Sequence, residues 1–332
     1  MLGLSAAVLL LSCSQPMHRD LGYPPLWQVE SAQHDNEVWL FGTVHIMPKG
    51  KSSRLQTVQR VLSGISPRMQ RAPWVSNQLF SAVKKSQRLV IELDLNRALR
   101  NDQTRLLAHV REEMLDITAV LPDARQLPTL QDYDFDDDLL HMLQTEASSR
   151  NLVFSDMTDL TLPAILLLFS VAPSDRFTTQ AQPGAEDWLM AMMRLHDRRI
   201  SGLEQRDSRL QALTTVFVQS QVDEHETIMR DYLATSLSSS DDIEADLMRV
   251  YAEWLGGDSP ERQRSRALFT QRYPEIYQAF VSQRNVLWLD EIVRHIDSGE
   301  RVFIAVGEAH LYGPDNLREM LVREGYRIQR IQ

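Results

Sequence analysis

Two short segments of this chain share a plan that suits chemistry: Gly42-Thr43-Val44-His45 and Gly307-Glu308-Ala309-His310. Each follows an apolar run, Trp39-Leu40-Phe41 in the first and Ile304-Ala305-Val306 in the second, and each carries a histidine three residues past the glycine. Imidazole, whose unperturbed pKa is about 6.5, serves as a general acid/base or as a metal ligand. Glycine at a strand end tolerates backbone angles that L-residues resist, so a sharp turn is expected there. The histidine would then project over the carboxyl edge of the sheet, where open α/β sheets bind ligands. We expect the two segments to meet in one site.

A third candidate is Glu92, in the run Val90-Ile91-Glu92-Leu93. A carboxylate among such neighbours is costly to bury unpaired and calls for a cation, a histidine or a metal. Asp94 either shares that role or faces solvent at the strand end. The bland alternatives are an edge-strand position for Glu92 and satisfied structural roles for the two histidines.

The elements that must position these residues follow from pattern. Leu26-Trp27-Gln28-Val29 and Val38-Trp39-Leu40-Phe41 read as strands separated by the turn residues His34-Asp35-Asn36. A helical stretch is predicted over residues 67–85, and then a core strand begins at Arg88. Residues 100–285 are mostly helical by pattern, with breaks near Pro122, Pro128, Pro173 and Pro183. Within them Ile200-Ser201-Gly202-Leu203-Glu204 could return to the sheet, and Ser236 to Ser240 followed by Asp241 and Asp242 reads as a polar hinge opening a helix. Residues 301–306 form a strand, a helix begins near Pro314, and Tyr326-Arg327-Ile328 is a last strand. The fold expected is α/β (α+β-like), a central sheet built from N- and C-terminal strands with a large helical insertion. The shared plan of the two Gly-x-x-His segments hints at two related halves.

Composition narrows the field. The chain has 332 residues, 43% hydrophobic and 24% charged, with a net charge of −10. No stripe of Lys and Arg stands out, which excludes a nucleic-acid backbone as an expected partner. His225-Glu226 opens like a zincin helix, but Met229 stands where the second histidine is required. Asp132, Asp134 and Asp136 alternate like a calcium loop without its glycine or its final glutamate, and are expected to open a solvated helix. There is neither a nucleophile elbow nor a phosphate-binding glycine loop. His18, His34, His109, His141, His196 and His295 are read as surface or structural residues.

Residues 2–11 are almost wholly apolar, too short to span a bilayer but suited to a signal peptide. Leu10-Leu11-Ser12-Cys13 resembles the bacterial lipobox, although no Lys or Arg precedes it. The expectation is a signal peptide over residues 1–12, lipidation of Cys13, a tether over 13–25 and one domain over 26–332. Ser14 after the cysteine favours the outer membrane, facing the periplasm. Cys13 is the single cysteine of the chain, so a cysteine nucleophile in the fold is excluded.

Taken in order, these pieces resemble a known family. Leu26-Trp27, Phe41-Gly42-Thr43-Val44-His45 and Val90-Ile91-Glu92 are similar to the opening of the TraB/GumN (Tiki-like) family. Gly202-Leu203-Glu204 with Leu210 resembles its central segment. Arg284-Asn285 with Trp288, then Val306 to Leu311 and Gly313, resemble its ending. Animal Tiki proteins of this family are described as metal-dependent proteases favouring manganese or cobalt. The resemblance implies one site with His45, Glu92 and His310 as metal or catalytic shell, Glu204 as a further carboxylate and Arg284 as polariser of a carbonyl or anion. Glu308 adds a charge within the second motif that either tunes the site or points away.

The reaction implied is metal-assisted hydrolysis of a peptide or small molecule by a divalent ion, Mn, Co or Zn. Glu92 or Glu204, if unliganded, would take the proton of water. The alternative is a non-catalytic binding protein of the cell envelope, since bacterial TraB-type relatives are associated with shutting down peptide pheromone signalling. A structural lipoprotein with a decayed site is the third reading.

Overall fold

The apolar runs at the two ends of the chain lie side by side. The computed structural model describes residues 22–48, 72–92, 102–175, 181–204, 208–236, 243–257 and 259–332. Cys13 with its flanking tether, the predicted helical residues 67–71, Asp94 and the predicted hinge at 236–242 fall wholly or almost wholly outside them.

In chain order the elements begin with β1 (Leu26–Glu30), β2 (Val38–Thr43) and β3 (Ile46–Pro48), then α1 (Asn77–Lys85) and β4 (Arg88–Ile91). The insertion starts with α2 (Gln103–Val120), α3 (Asp137–Ser149) and α4 (Leu162–Val171). It continues through β5 (Ala181–Pro183), α5 (Ala185–Leu195), β6 (Arg199–Gly202), α6 (Ser208–Gln219), α7 (Val222–Ser236), α8 (Ile243–Gly256) and α9 (Pro260–Arg272). Then α10 (Pro274–Tyr277) runs through a π-helical segment, Gln278–Ser282, into α11 (Gln283–Ile296). The chain closes with β7 (Val302–Gly307), α12 (Leu317–Arg323) and β8 (Arg327–Arg330).

Among the described residues, six strands form one mixed sheet in the order β6-β4-β7-β2-β1-β8. The first four are mutually parallel, and β1 is antiparallel to both β2 and β8. Both faces are covered, which is why the parallel strands read as continuous apolar runs rather than alternating ones. Trp39, Phe41, Leu89, Ile91, Phe303 and Ala305 face a layer containing α1, α5 and Trp254. Val38, Leu40, Val90, Val302, Ile304 and Val306 face α11 and α12. The expected α/β sheet assembled from both termini is therefore what the chain forms, and the segment at residue 200 does return to it as β6, beside β4.

The insertion has its own core, drawn from α2, α3, α4, α6 and α7. Leu162 to Phe169 of α4 are buried. No helix among the described residues is long and apolar enough to cross a membrane. Asp136 caps α3 by accepting from the Leu139 backbone N–H, and Asp132 closes a capping box with Thr129, so the aspartate run serves helix starts. His225 is a core residue: its Nε2 donates to the Phe217 carbonyl and its Nδ1 accepts from the Tyr133 hydroxyl.

Two local expectations are corrected. Within the described part of the predicted stretch, residues 72–85, the helix begins at Asn77, because Ser76 accepts from the Leu79 backbone N–H and fixes the start there. A two-stranded antiparallel pair, β3 with β5, was not expected from pattern, since each strand has three residues.

Candidate functional site

The four parallel strands each deliver one candidate residue just beyond their carboxyl ends. Glu204 follows β6, Glu92 follows β4, Gly307 and His310 end and follow β7, and His45 follows β2. Pairing continues past β6 and β4, where Glu204 donates its backbone N–H to the Glu92 carbonyl at 2.9 Å. The sheet thereby lines up Glu204, Glu92, His310 and His45 along one edge.

Glu92 is the centre of this row and is buried. Its Oε2 accepts from Arg284 Nη2 at 2.6 Å, and its Oε1 accepts from the backbone N–H of Gly307. Strand β4 lies between β6 and β7, which rules out the edge-strand alternative. Burial by itself would push the Glu92 carboxyl up, but Arg284, His310, His45 and Arg209 outweigh it and hold the group well below the usual carboxylate range.

Arg284 binds the row together. Its Nε donates to Glu204 at 2.6 Å, its Nη2 to Glu92, and its Nη1 to the Phe280 carbonyl at 3.0 Å, with His310 Nε2 3.3 Å away. Phe280 lies in the π-helical segment, a feature that recurs at functional sites. Burial lowers the guanidinium pKa and the adjoining Glu204 and Glu92 raise it, for a net rise. Every nitrogen is thus engaged by the protein, and the predicted role of Arg284 as polariser of a substrate carbonyl is replaced by that of a clamp on two carboxylates. Glu204 changes role for the same reason. With Oε1 on Arg284 and Oε2 3.2 Å from Arg209 Nε, it is poorly placed to accept a proton from water.

The two histidines differ sharply. His310 is buried, packed on the Trp288 ring at 4.4 Å between centroids, and burial above all lowers its pKa to about 3. The His45 side chain is 63% exposed, and its Nδ1 lies 3.3 Å from Glu186 Oε2. The Glu186 carboxylate raises its pKa to about 9, a pull that solvent around the ring partly screens. The matching motifs also diverge in backbone. Gly42 pairs with Val306 and Thr43 with Gly307, one residue out of step, and only the second motif continues into a 3-10 turn, Glu308–Leu311.

The glycines are needed for space and not for unusual angles. Gly307 has φ −51° and ψ 136°, open to any residue. A Cβ on it would lie 2.8 Å from Glu92 Oε1, 3.4 Å from His45 Nε2 and 3.6 Å from His310 Cδ2. The absent side chain is therefore the cradle around which those three groups gather. Gly184 makes a second close approach, where a Cβ would fall 2.0 Å from the Val44 carbonyl. That approach, with Ala185 donating to the Val44 carbonyl, docks the start of α5 against His45.

Docking of α5 brings in Glu186, which sequence reasoning missed. It accepts from the Thr43 hydroxyl at 2.9 Å. Glutamate in a first helical turn is ordinary, so nothing in the sequence marked it. Among the described residues, the group able to hold a metal is His45, Glu92 and Glu186, whose ligand atoms lie within 4.8 Å of one another. His310, expected as the third ligand, stands 3.6 Å from Glu92 with its Nε2 turned to the Arg284 guanidinium, a cation that disfavours a metal there. Arg209, also unforeseen, approaches Glu92 at 3.7 Å. Glu308 points to the neighbouring arginines Arg262 and Arg266, and its Cβ covers Gly42.

Comparison with curated proteins and with solved structures gave no match. Residues 25–330 do match the family model described as TraB/PrgY/gumN family, nearly the whole chain, and the protein belongs to that family.

Proposed function

We propose that this protein is a metal-dependent hydrolase of the peptidase type, with His45, Glu92 and Glu186 holding a divalent ion. The observation that carries this reading is the convergence of one imidazole and two carboxylates, with ligand atoms of His45, Glu92 and Glu186 within 4.8 Å of one another; two of the three, Glu92 Oε1 and His45 Nε2, border the space left by the missing side chain of Gly307. The donor set is nitrogen and oxygen without sulfur, compatible with Mn, Co or Zn. Such an ion supplies Lewis acidity, which activates water and polarises a carbonyl at neutral pH.

The chain's own residues do the rest. Arg284 and Arg209 keep Glu92 ionised across the neutral range. Thr43 orients the ligand Glu186 by donating its hydroxyl to Oε1, which leaves Oε2 facing His45 Nδ1. The exposed side of His45 gives a substrate its approach, while buried His310 keeps the inner wall neutral.

Calorimetric titration of the purified protein with Mn, Co and Zn, paired with a peptide-library cleavage assay, tests the reading. Wild type is expected to bind one ion and cleave, and His45→Ala, Glu92→Gln and Glu186→Gln are expected to lose both. Metal content unchanged in all three variants would refute it. Stoichiometric peptide capture without cleavage, at saturating metal, would instead favour the non-catalytic binding protein.

We also propose that the protein is anchored in the bacterial envelope through Cys13, on the strength of Leu10-Leu11-Ser12-Cys13. In a bacterial host, wild type should incorporate labelled palmitate and Cys13→Ser should not. Equal labelling of both, or of neither, would overturn the anchor.

A further inference from the structure

Asn285 has no place in the metal reading, yet it is wholly buried against the site. Its Nδ2 donates to the Asp315 carbonyl at 2.8 Å and to the His310 carbonyl at 3.5 Å, which leaves Oδ1 as the atom facing the His310 ring. That Oδ1 lies 2.7 Å from His310 Nδ1. An amide oxygen only accepts, so Nδ1 carries the proton, and in a neutral ring Nε2 is then left with a lone pair. The Nε2 faces Arg284 Nη1 at 3.3 Å, and a guanidinium only donates. Both contacts are satisfied by one tautomer alone. In the other tautomer two donors would face each other at Nε2 and two acceptors at Nδ1. The Trp288 ring, 4.4 Å from the imidazole and 4.5 Å from the guanidinium carbon, packs against both groups.

We infer that Asn285 is a positioning residue that fixes the Nδ1–H tautomer of His310, so that Nε2 accepts from Arg284 and Arg284 in turn holds Glu92 in the metal cradle. The consequence for the ion rests on the metal reading above; the tautomer itself does not. The chain of contacts is Asn285 to His310 to Arg284 to Glu92, and no ligand is touched by the first link. Loss of a partner bonded directly to a ligand typically costs about 10–100-fold in metal affinity, and Asn285, two contacts further out, is expected at the low end of that range.

The test reads the metal-free protein first. Long-range nitrogen–proton NMR of histidine-labelled protein at pH 7, with His310→Gln to assign the signals, is expected to show His310 protonated on Nδ1 and bare on Nε2. Asn285→Leu is expected to lose that pattern, and manganese affinity measured by calorimetry should fall by about tenfold. Asn285→Asp retains an acceptor at the same place and is expected to keep Nδ1 protonated. A wild-type ring protonated on Nε2 alone would overturn the inference without recourse to any variant. So would an unchanged tautomer in a folded Asn285→Leu protein. If wild type binds no ion at all, the metal reading fails, while the tautomer result still decides the role of Asn285.

Discussion

Replacing Arg284 with Met is expected to destabilise the protein by about 3–5 kcal/mol, because it strands buried charge. The Arg284 side chain is 5% exposed, and those of Glu92 and Glu204 are 4% and 0%. Among the described residues, its removal leaves Glu92 Oε2 with Arg209, 3.7 Å away, and Glu204 Oε1 without its 2.6 Å donor. Arg284→Lys should recover little, since the guanidinium addresses Glu204, Glu92 and Phe280 with three different nitrogens, and an ammonium cannot span them. Urea unfolding checks the size, and a loss of under about 0.5 kcal/mol, the scale of an ordinary surface change, would show that the clamp is not structural. Adding Glu204→Gln should restore part of the loss, a non-additivity that neighbours sharing a network show.

The same substitution has a pH signature of definite sign. In wild type the folded Glu92 pKa is depressed, so its contribution is present above the usual carboxylate range and is lost as pH falls through the folded value. His310, lowered from 6.5 to about 3, works in the same direction. Its neutral form is favoured in the fold, so its contribution is full above pH 6.5 and fades towards pH 3. Wild type should therefore weaken steadily through that window. In Arg284→Met, burial of Glu92 has lost its main opponent, and acid relieves the stranded charge by protonating it. The gap between the two proteins is expected to narrow as pH falls; a constant or widening gap would contradict the assignment.

What the sequence disclosed, and what it did not, follows from the range of each interaction. The strands were legible because burial on both faces leaves unbroken apolar runs such as Val302 to Val306, and Glu92 stood out because a carboxylate in such a run needs a partner. The meeting of the two Gly-x-x-His segments was legible for the same reason, since both runs had to enter one sheet. Glu186 was hidden because its arrival depends on α5 docking through Gly184, a contact between backbones far apart in the chain that no side-chain pattern encodes. Arg209 was hidden because an arginine on a helix is normally solvated, and only the placement of α6 sets it against two carboxylates. The strand-end position of the glycines pointed to backbone freedom, whereas the demand comes from the crowd of functional atoms above Gly307.

That crowd makes Gly307→Ala the most economical attack on the site. A Cβ would stand 2.8 Å from Glu92 Oε1, closer than such atoms pack, so one of them must move. The backbone cannot easily give way, because β7 is flanked by β2 and β4. Nor can Glu92 swing aside freely, being fixed by Arg284 and by the Gly307 N–H itself. Overpacking of this kind costs about 1–3 kcal/mol, so the protein should still fold. Its ion affinity should nevertheless fall by at least about tenfold, because both Glu92 and His45 Nε2 meet the new methyl group. Gly256→Ala supplies the control, since a Cβ there meets nothing within 4 Å. If Gly307→Ala melts lower yet binds manganese as wild type does, the cradle is not where the ion sits. If it melts lower and loses the ion while Gly256→Ala loses neither, the missing side chain at position 307 is part of the site, as much as any ligand around it.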